Sequence, residues 1–164
     1  MPYYAGIGSR KTPAHILELM TELAEHMRQA GWILRSGAAA GADTAFEKGA
    51  GDLKEIFTAS SQIPSEAMET VDKYHPAPAY LKPYSRRLMA RNAMQIFGAD
   101  MNTPVDFVIC WTPDGADGLV KLTSRATGGT GQAIRIAAAN SILVMNLGNE
   151  TTLKALREVV ARHK

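Results

Sequence analysis

The sequence predicts an α/β fold in three layers, with a mostly parallel sheet covered by helices on both faces. Three observations carry that prediction. Short apolar runs alternate with amphipathic stretches along most of the 164 residues. Several runs stop at glycines that lead directly into helical patterns. One run, Val105 to Trp111, is almost continuously apolar, as suits a strand in the middle of a sheet.

Taken in order, Tyr3 to Ile7 reads as a first strand that stops at Gly8. Thr12-Pro13 then opens a helix, with Thr12 as N-cap and Pro13 at the first helical position. Ile16, Met20, Leu23 and Met27 give that helix one apolar face, and Gly31 stands where a C-terminal cap belongs. Trp32 to Leu34 is the second strand and runs into the small-residue segment Ser36 to Gly41. A helix starts at Asp43 and continues to Lys48, and Glu55 to Thr58 is a third strand. Residues 59–84 carry four prolines and read as an excursion over the rim of the sheet, with a short helix from Ser65 to Tyr74. A helix from Ser85 to Phe97 precedes the central strand. After the turn Pro113-Asp114-Gly115, a loop at Gly128 to Gly131 leads into a helix of Ala and Ile residues. Ser141 to Asn146 is the last strand and Thr151 to Arg162 the last helix.

Composition narrows the function classes. Lys and Arg number 18 and Asp and Glu 16, so the formal charge is +2 and a nucleic-acid partner is neither demanded nor excluded. Apolar residues at 46% and charged residues at 21% are those of a globular domain able to build its own core. One cysteine, Cys110, excludes an internal disulfide and a cysteine-based zinc cluster. No apolar run approaches the ~18 residues of a membrane span, and the first residues lack the pattern of a secretory signal. The expectation is one cytoplasmic domain over residues 1–164 with no membrane partner.

Three segments fall on the edge of the sheet where parallel folds bind ligands. The first is Gly6-Ile7-Gly8-Ser9-Arg10, whose amides can face an anion while Arg10 adds a bidentate contact. Its third glycine position is Lys11, so it is not a dinucleotide fingerprint. The second runs from Ser36 and Gly37 through three alanines to Gly41 and Asp43, and its small side chains let backbone approach a ligand. Asp43 suits a ribose hydroxyl or a plain helix cap, and Glu47 shares its helix face four residues on. The third, Gly128-Gly129-Thr130-Gly131, makes a cradle of amides and hydroxyls, without the Gly-Lys-Ser/Thr of a Walker A loop. Arg86, Arg87 and Arg91, with Lys82 upstream, form the strongest basic cluster, and Asn92 follows Arg91. A phosphate partner explains the cluster, and so does a solvated helix face. His15, His26, His75 and His163 are scattered and show no metal-ligand spacing, so neither a metal nor a cofactor is expected. His75 reads as a loop residue and Cys110 as core.

These motifs carry a resemblance. Gly8-Ser9-Arg10, Ser36-Gly37-x-Ala39-x-Gly41-x-Asp43 with Gly49-Ala50, Arg91-Asn92, and the Gly-Gly-Thr run followed by Arg135 resemble the Rossmann-like domain of the DprA (Smf) DNA-processing family. The wider group is the SLOG superfamily, which includes the LOG-type phosphoribohydrolases, once called lysine decarboxylase-like. The likeness runs from Gly6 to about Ala139. The chain departs from the LOG motif Pro-Gly-Gly-x-Gly-Thr-x-x-Glu, having Thr127 for Pro, Gln132 for the second Thr and Arg135 for the catalytic Glu. It departs from the DprA pattern in having Glu47 where a His stands.

The resemblance implies a stand-alone Rossmann-like domain that binds a nucleotide phosphate, in a free nucleotide, a nucleotide-derived signal or single-stranded DNA. It assigns Gly8, Ser9, Arg10, Ser36, Gly37, Gly41, Gly128, Gly129, Thr130 and Gly131 to phosphate, Asp43 to sugar or base, and Arg91 and Asn92 to closing the site. It also implies a homo-oligomer. The alternative is an enzyme that hydrolyses the N-glycosidic bond of a nucleoside monophosphate, with Glu47 first and Asp43 second as the catalytic carboxylate. Tyr80, Tyr84 and Trp111 are the aromatics near the proposed edge.

Overall fold

The computed structural model describes residues 2–162. Five strands form one sheet: β1 Tyr3–Gly6, β2 Ile33–Ser36, β3 Lys54–Ile56, β4 Phe107–Cys110 and β5 Leu143–Asn146. Their spatial order is β3-β2-β1-β4-β5, and every pairing is parallel. The pairings put Tyr4 beside both Leu34 and Phe107. The strand order reverses between β1 and β4, and ligands of such sheets bind at the carboxyl ends of the strands at that reversal.

Period-two alternation sends neighbouring side chains to opposite faces. Tyr4, Leu34 and Ile109 pack on one face with helices α1 (Ala14–Gln29), α2 (Ala42–Ala50) and α6 (Glu150–Arg162). Ala5, Val108 and Cys110 pack on the other with α3 (Ser65–Tyr74), α4 (Pro83–Phe97) and α5 (Gly131–Ala139). The two cores are the two interfaces of a three-layer α/β/α sandwich. Cys110 is fully buried, and burial pushes its thiol far above the ordinary range, so it is an inert core residue.

Most element ends shift by one or two residues from the sequence reading, and three differences bear on the site. Pro13, in extended backbone with ψ 151°, is the N-cap of α1, and Thr12 instead donates through its hydroxyl to the Ser9 carbonyl at 2.6 Å. Proline's fixed φ suits a cap as well as a first helical position, which the sequence alone does not separate. Ser36 belongs to β2, not to the loop beyond it, because its buried hydroxyl donates to the Gly6 carbonyl at 2.5 Å and pins the ends of β1 and β2 together. Residues 125–130 form a 3₁₀ element kinked at Gly128, where φ is 75°, and Gly131 is already the first residue of α5. No helix among the described residues is long and apolar enough to cross a membrane.

Candidate functional site

The three glycine-bearing segments meet around the N-terminal end of α2 and one stripe of α4. A Cβ placed on Gly41 would lie 3.2 Å from both the Arg10 Cα and the Ser9 carbonyl, so the second segment rests on the first. A Cβ placed on Gly37 would lie 2.6 Å from an Arg91 terminal nitrogen, 2.7 Å from Asp43 Oδ2 and 3.0 Å from the Gln95 amide nitrogen. Only the missing side chain at Gly37 lets these three polar groups close on the backbone. Asn92 donates from its amide to the Gly129 carbonyl at 3.1 Å and ties α4 to the third segment.

Within the first segment, the Ser9 amide donates to the Trp111 carbonyl and its hydroxyl accepts from the Lys11 amide. Ser9 therefore builds the turn that carries exposed Arg10. In the third segment Gly128 and Gly129 are exposed and Thr130 half-buried, while the Gly131 amide is used by the carbonyls of Gly128 and Gly129.

The electrostatics centre on Asp43 and Arg91. Asp43 is 3% exposed and accepts a single backbone hydrogen bond, from Ala39 at 3.3 Å. It lies in the first turn of α2 without capping it, so the plain-cap reading does not hold. Burial, helped slightly by Glu47, pushes its carboxyl up to about 6, although Arg91 and the Ala39 amide pull it down. Burial also lowers Arg91, against the pull of Asp43 and Tyr84, and nearby Arg10 lowers it further. Arg91 makes one hydrogen bond, to Asn92 Oδ1 at 3.3 Å.

Among the described residues, four buried side-chain polar atoms have no partner. Three of them sit here: Arg91 Nε and both amide atoms of Gln95. Buried polar atoms are normally satisfied, and leaving one unpaired costs ~1–3 kcal/mol. They cluster under Gly37, beside the glycine-bearing segments.

The other candidates are held elsewhere. Arg86 binds both Asp72 oxygens and the Pro78 carbonyl, and Arg87 donates to the carbonyls of Ala59 and Ser61. The three arginines thus resolve into two tethers of the proline-rich excursion and one residue of the candidate site, Arg91. Glu47 pairs with Lys54 at 2.9 Å, while Asp43 is the carboxylate that faces Arg91. Arg135 donates to the Tyr74 carbonyl, Thr123 and Gln132, and so stitches α5 to α3. His75 accepts from the Ala77 amide in a loop. His163 lies outside the described residues. No group of three or more His, Cys, Asp or Glu among the described residues is placed to hold a metal ion.

Sequence reasoning missed two residues. Asp114, which reads as an ordinary turn residue, accepts hydroxyl bonds from Thr112 at 2.8 Å, Ser124 at 3.1 Å and Thr127 at 2.5 Å. Burial raises its carboxyl, but these bonds and one from the Ala116 amide outweigh that and hold it below the ordinary carboxylate range. It therefore works as an ionised anchor that sets the height of the third segment beside β4. Gln95 lies in α4, buried, and the sequence reading gives it no role. Its spacing of four from Arg91 is the one signal that places both on the same helix face.

No family model matches the chain, and no curated protein matches it in sequence. Among solved structures, DNA processing protein A from Helicobacter pylori, described for its single-stranded DNA binding mode, superposes with a TM-score of 0.58. The identity is 17%, over 88% of this chain, and this chain spans 64% of the length of that one. The likeness shows a DprA-like fold.

Proposed function

We propose that the chain binds the phosphate of nucleotides, single-stranded DNA included, at the carboxyl edge of its sheet, as a SLOG-type protein. Arg10 and Arg91 supply the positive charge, with Gly8, Gly37, Gly41, Gly128, Gly129 and Thr130 as the backbone that approaches the ligand. Ser9, Ser36, Asn92 and Gly131 hold those segments in place, and Asp43 meets the sugar or base. The observation that carries the reading is half-buried Arg91, its Nε without a partner, beside the glycine-bearing segments. A phosphate oxygen is the partner that satisfies a guanidinium most strongly. The single-stranded DNA binding described for the structural neighbour supports the same ligand class. The resemblance extends the proposal to a cytoplasmic homo-oligomer.

Binding of a fluorescently labelled oligo-dT, followed by anisotropy, tests this. Arg91→Gln is expected to weaken binding by ~10-fold or more, since hydrogen bonds to charged groups contribute about 1.5–3 kcal/mol. It should also flatten the slope of log K against log salt by ~0.7, one phosphate contact on a single strand. An unchanged affinity and slope would remove Arg91 from the site.

A second reading rests on the Asp43 carboxyl, which at about 6 is poised for proton transfer near neutral pH. In it the chain hydrolyses the N-glycosidic bond of nucleoside monophosphates, with Asp43 in the catalytic role and Glu47, already paired with Lys54, outside it. Chromatography after incubation with nucleoside monophosphates is expected to show free base, lost in Asp43→Asn and kept in Glu47→Gln. Unchanged nucleotide in the wild-type incubation eliminates this reading.

A further inference from the structure

Two tyrosines on the rim of this site are not explained by packing. Tyr80 is 90% exposed and Tyr84 66%, the two most exposed aromatic side chains among the large hydrophobics. An exposed Tyr is common on a flexible loop, where it points nowhere in particular. These two stand on ordered elements. Tyr80 ends a 3₁₀ turn, Pro78–Tyr80, and Tyr84 lies in the first turn of α4 after Pro83. The turn is locked from beneath by Arg86, which donates to the Pro78 carbonyl and to both oxygens of Asp72 on α3.

Their position relative to the cations is set by helix geometry. Tyr84 and Arg91 are seven residues apart, two turns of α4, so they share a face about 10 Å apart along the axis. The Tyr84 phenol is close enough to act on the Arg91 guanidinium, and Arg10 acts on the same group from the β1 side. Lys82, also exposed, stands between the two tyrosines in sequence. Tyr84 and Arg91 therefore share one stripe of α4, with exposed Lys82 and Tyr80 just before it in the chain.

We propose that Tyr84, with Tyr80 beyond it, is a base-stacking platform for the nucleotides that flank the phosphate held at Arg10 and Arg91. This rests on the phosphate-binding reading above and deepens it: the site favours a single strand of several nucleotides over a mononucleotide, because bases beyond the anchored phosphate gain a surface. Stacking on an aromatic side chain tolerates any base, since every base has a π face. The platform adds affinity without fixing sequence.

The test compares three ligands by anisotropy or by competition: dTMP, a short oligo-dT, and an oligonucleotide of the same length with abasic sites on both sides of one phosphate. Wild-type protein is expected to bind the oligo-dT more tightly than either of the others. Tyr84→Ala should weaken oligo-dT by ~5- to 100-fold, the range for loss of one stacked base. It should leave dTMP and the abasic strand unchanged, and Tyr84→Trp should restore the loss. The double variant Tyr80→Ala/Tyr84→Ala should bind oligo-dT and the abasic strand alike. Both side chains are exposed, so the variants fold. Oligo-dT affinity unchanged in the double variant overturns the platform while the phosphate site stands. Oligo-dT affinity lowered ~10-fold or more in Arg91→Gln, with the platform intact, upholds the site beneath it. A wild-type protein that binds none of the three ligands overturns both.

Discussion

Replacing Asp43 with Asn is expected to make the ligand-free protein more stable at neutral pH, by about 2–3 kcal/mol. The carboxyl is 3% exposed and titrates near 6, roughly two units above the unfolded value of ~3.9. Each unit corresponds to ~1.4 kcal/mol. The sign follows from proton binding. Between pH ~4 and ~6 the folded chain holds this proton more tightly than the unfolded chain, so stability falls as pH rises through that window. Above it the full cost of a buried carboxylate is present, and below it none is. Thermal unfolding should therefore place the Asn variant ~5–10 °C above wild type at pH 7.5, with the gap closing toward pH 4. An equal gap at both values, or none, refutes the account. The same variant should lose affinity for nucleotide, since Asp43 is proposed to meet sugar or base. A buried carboxylate that weakens the empty fold is the pattern expected where function opposes stability.

The second large effect lies beneath the site. Gly49 on α2 faces α1 so closely that a Cβ there would stand 2.2 Å from the Thr21 carbonyl oxygen and 2.7 Å from the Ala24 Cβ. Thr21 also donates its hydroxyl to the Ala45 carbonyl at 2.9 Å, which fixes the two helices at this distance. Gly49→Ala must push them apart against backbone, not against a flexible side-chain end. The expected loss is about 3 kcal/mol, the upper part of the usual range for overpacking. Because α2 carries Asp43 in its first turn, nucleotide affinity should fall with it. Urea denaturation measures the first effect and anisotropy the second. A variant as stable as wild type would mean that the α1–α2 approach is looser than the geometry gives.

The sheet and its helices were largely legible in the sequence because burial on two faces leaves runs such as Phe107–Cys110 almost wholly apolar. The glycine-bearing segments were legible because few other residues permit that backbone density. What stayed hidden depends on partners far along the chain. Arg86, Arg87 and Arg91 look alike in sequence, and only the fold brings Asp72, Ala59 and Ser61 to the first two and leaves the third short of a partner. Asp114 looks like any turn aspartate until Ser124 and Thr127 are folded over it. Gln95 acquires meaning only when Gly37 is laid against it. A polar residue's role is set by what remains unpaired after folding, and one chain read linearly does not show that remainder.

The reversal of strand order between β1 and β4 also governs the order in which the molecule can be assembled. Strands β1, β2 and β3 and helices α1 and α2 are all made before residue 60, and they can close on one another locally. One side of β1 then has no neighbour until residues 107–110 are made, because its partner there is β4. Throughout that interval the growing chain carries an open strand edge with apolar Ala5 and Ile7 beside it, the kind of edge that templates unwanted pairing. Closing it is a long-range step, slow by the standards of contacts made within a helix. The seam between β1 and β4 is the one over which the nucleotide site is proposed to lie, so ligand competence waits for the second half of the sheet.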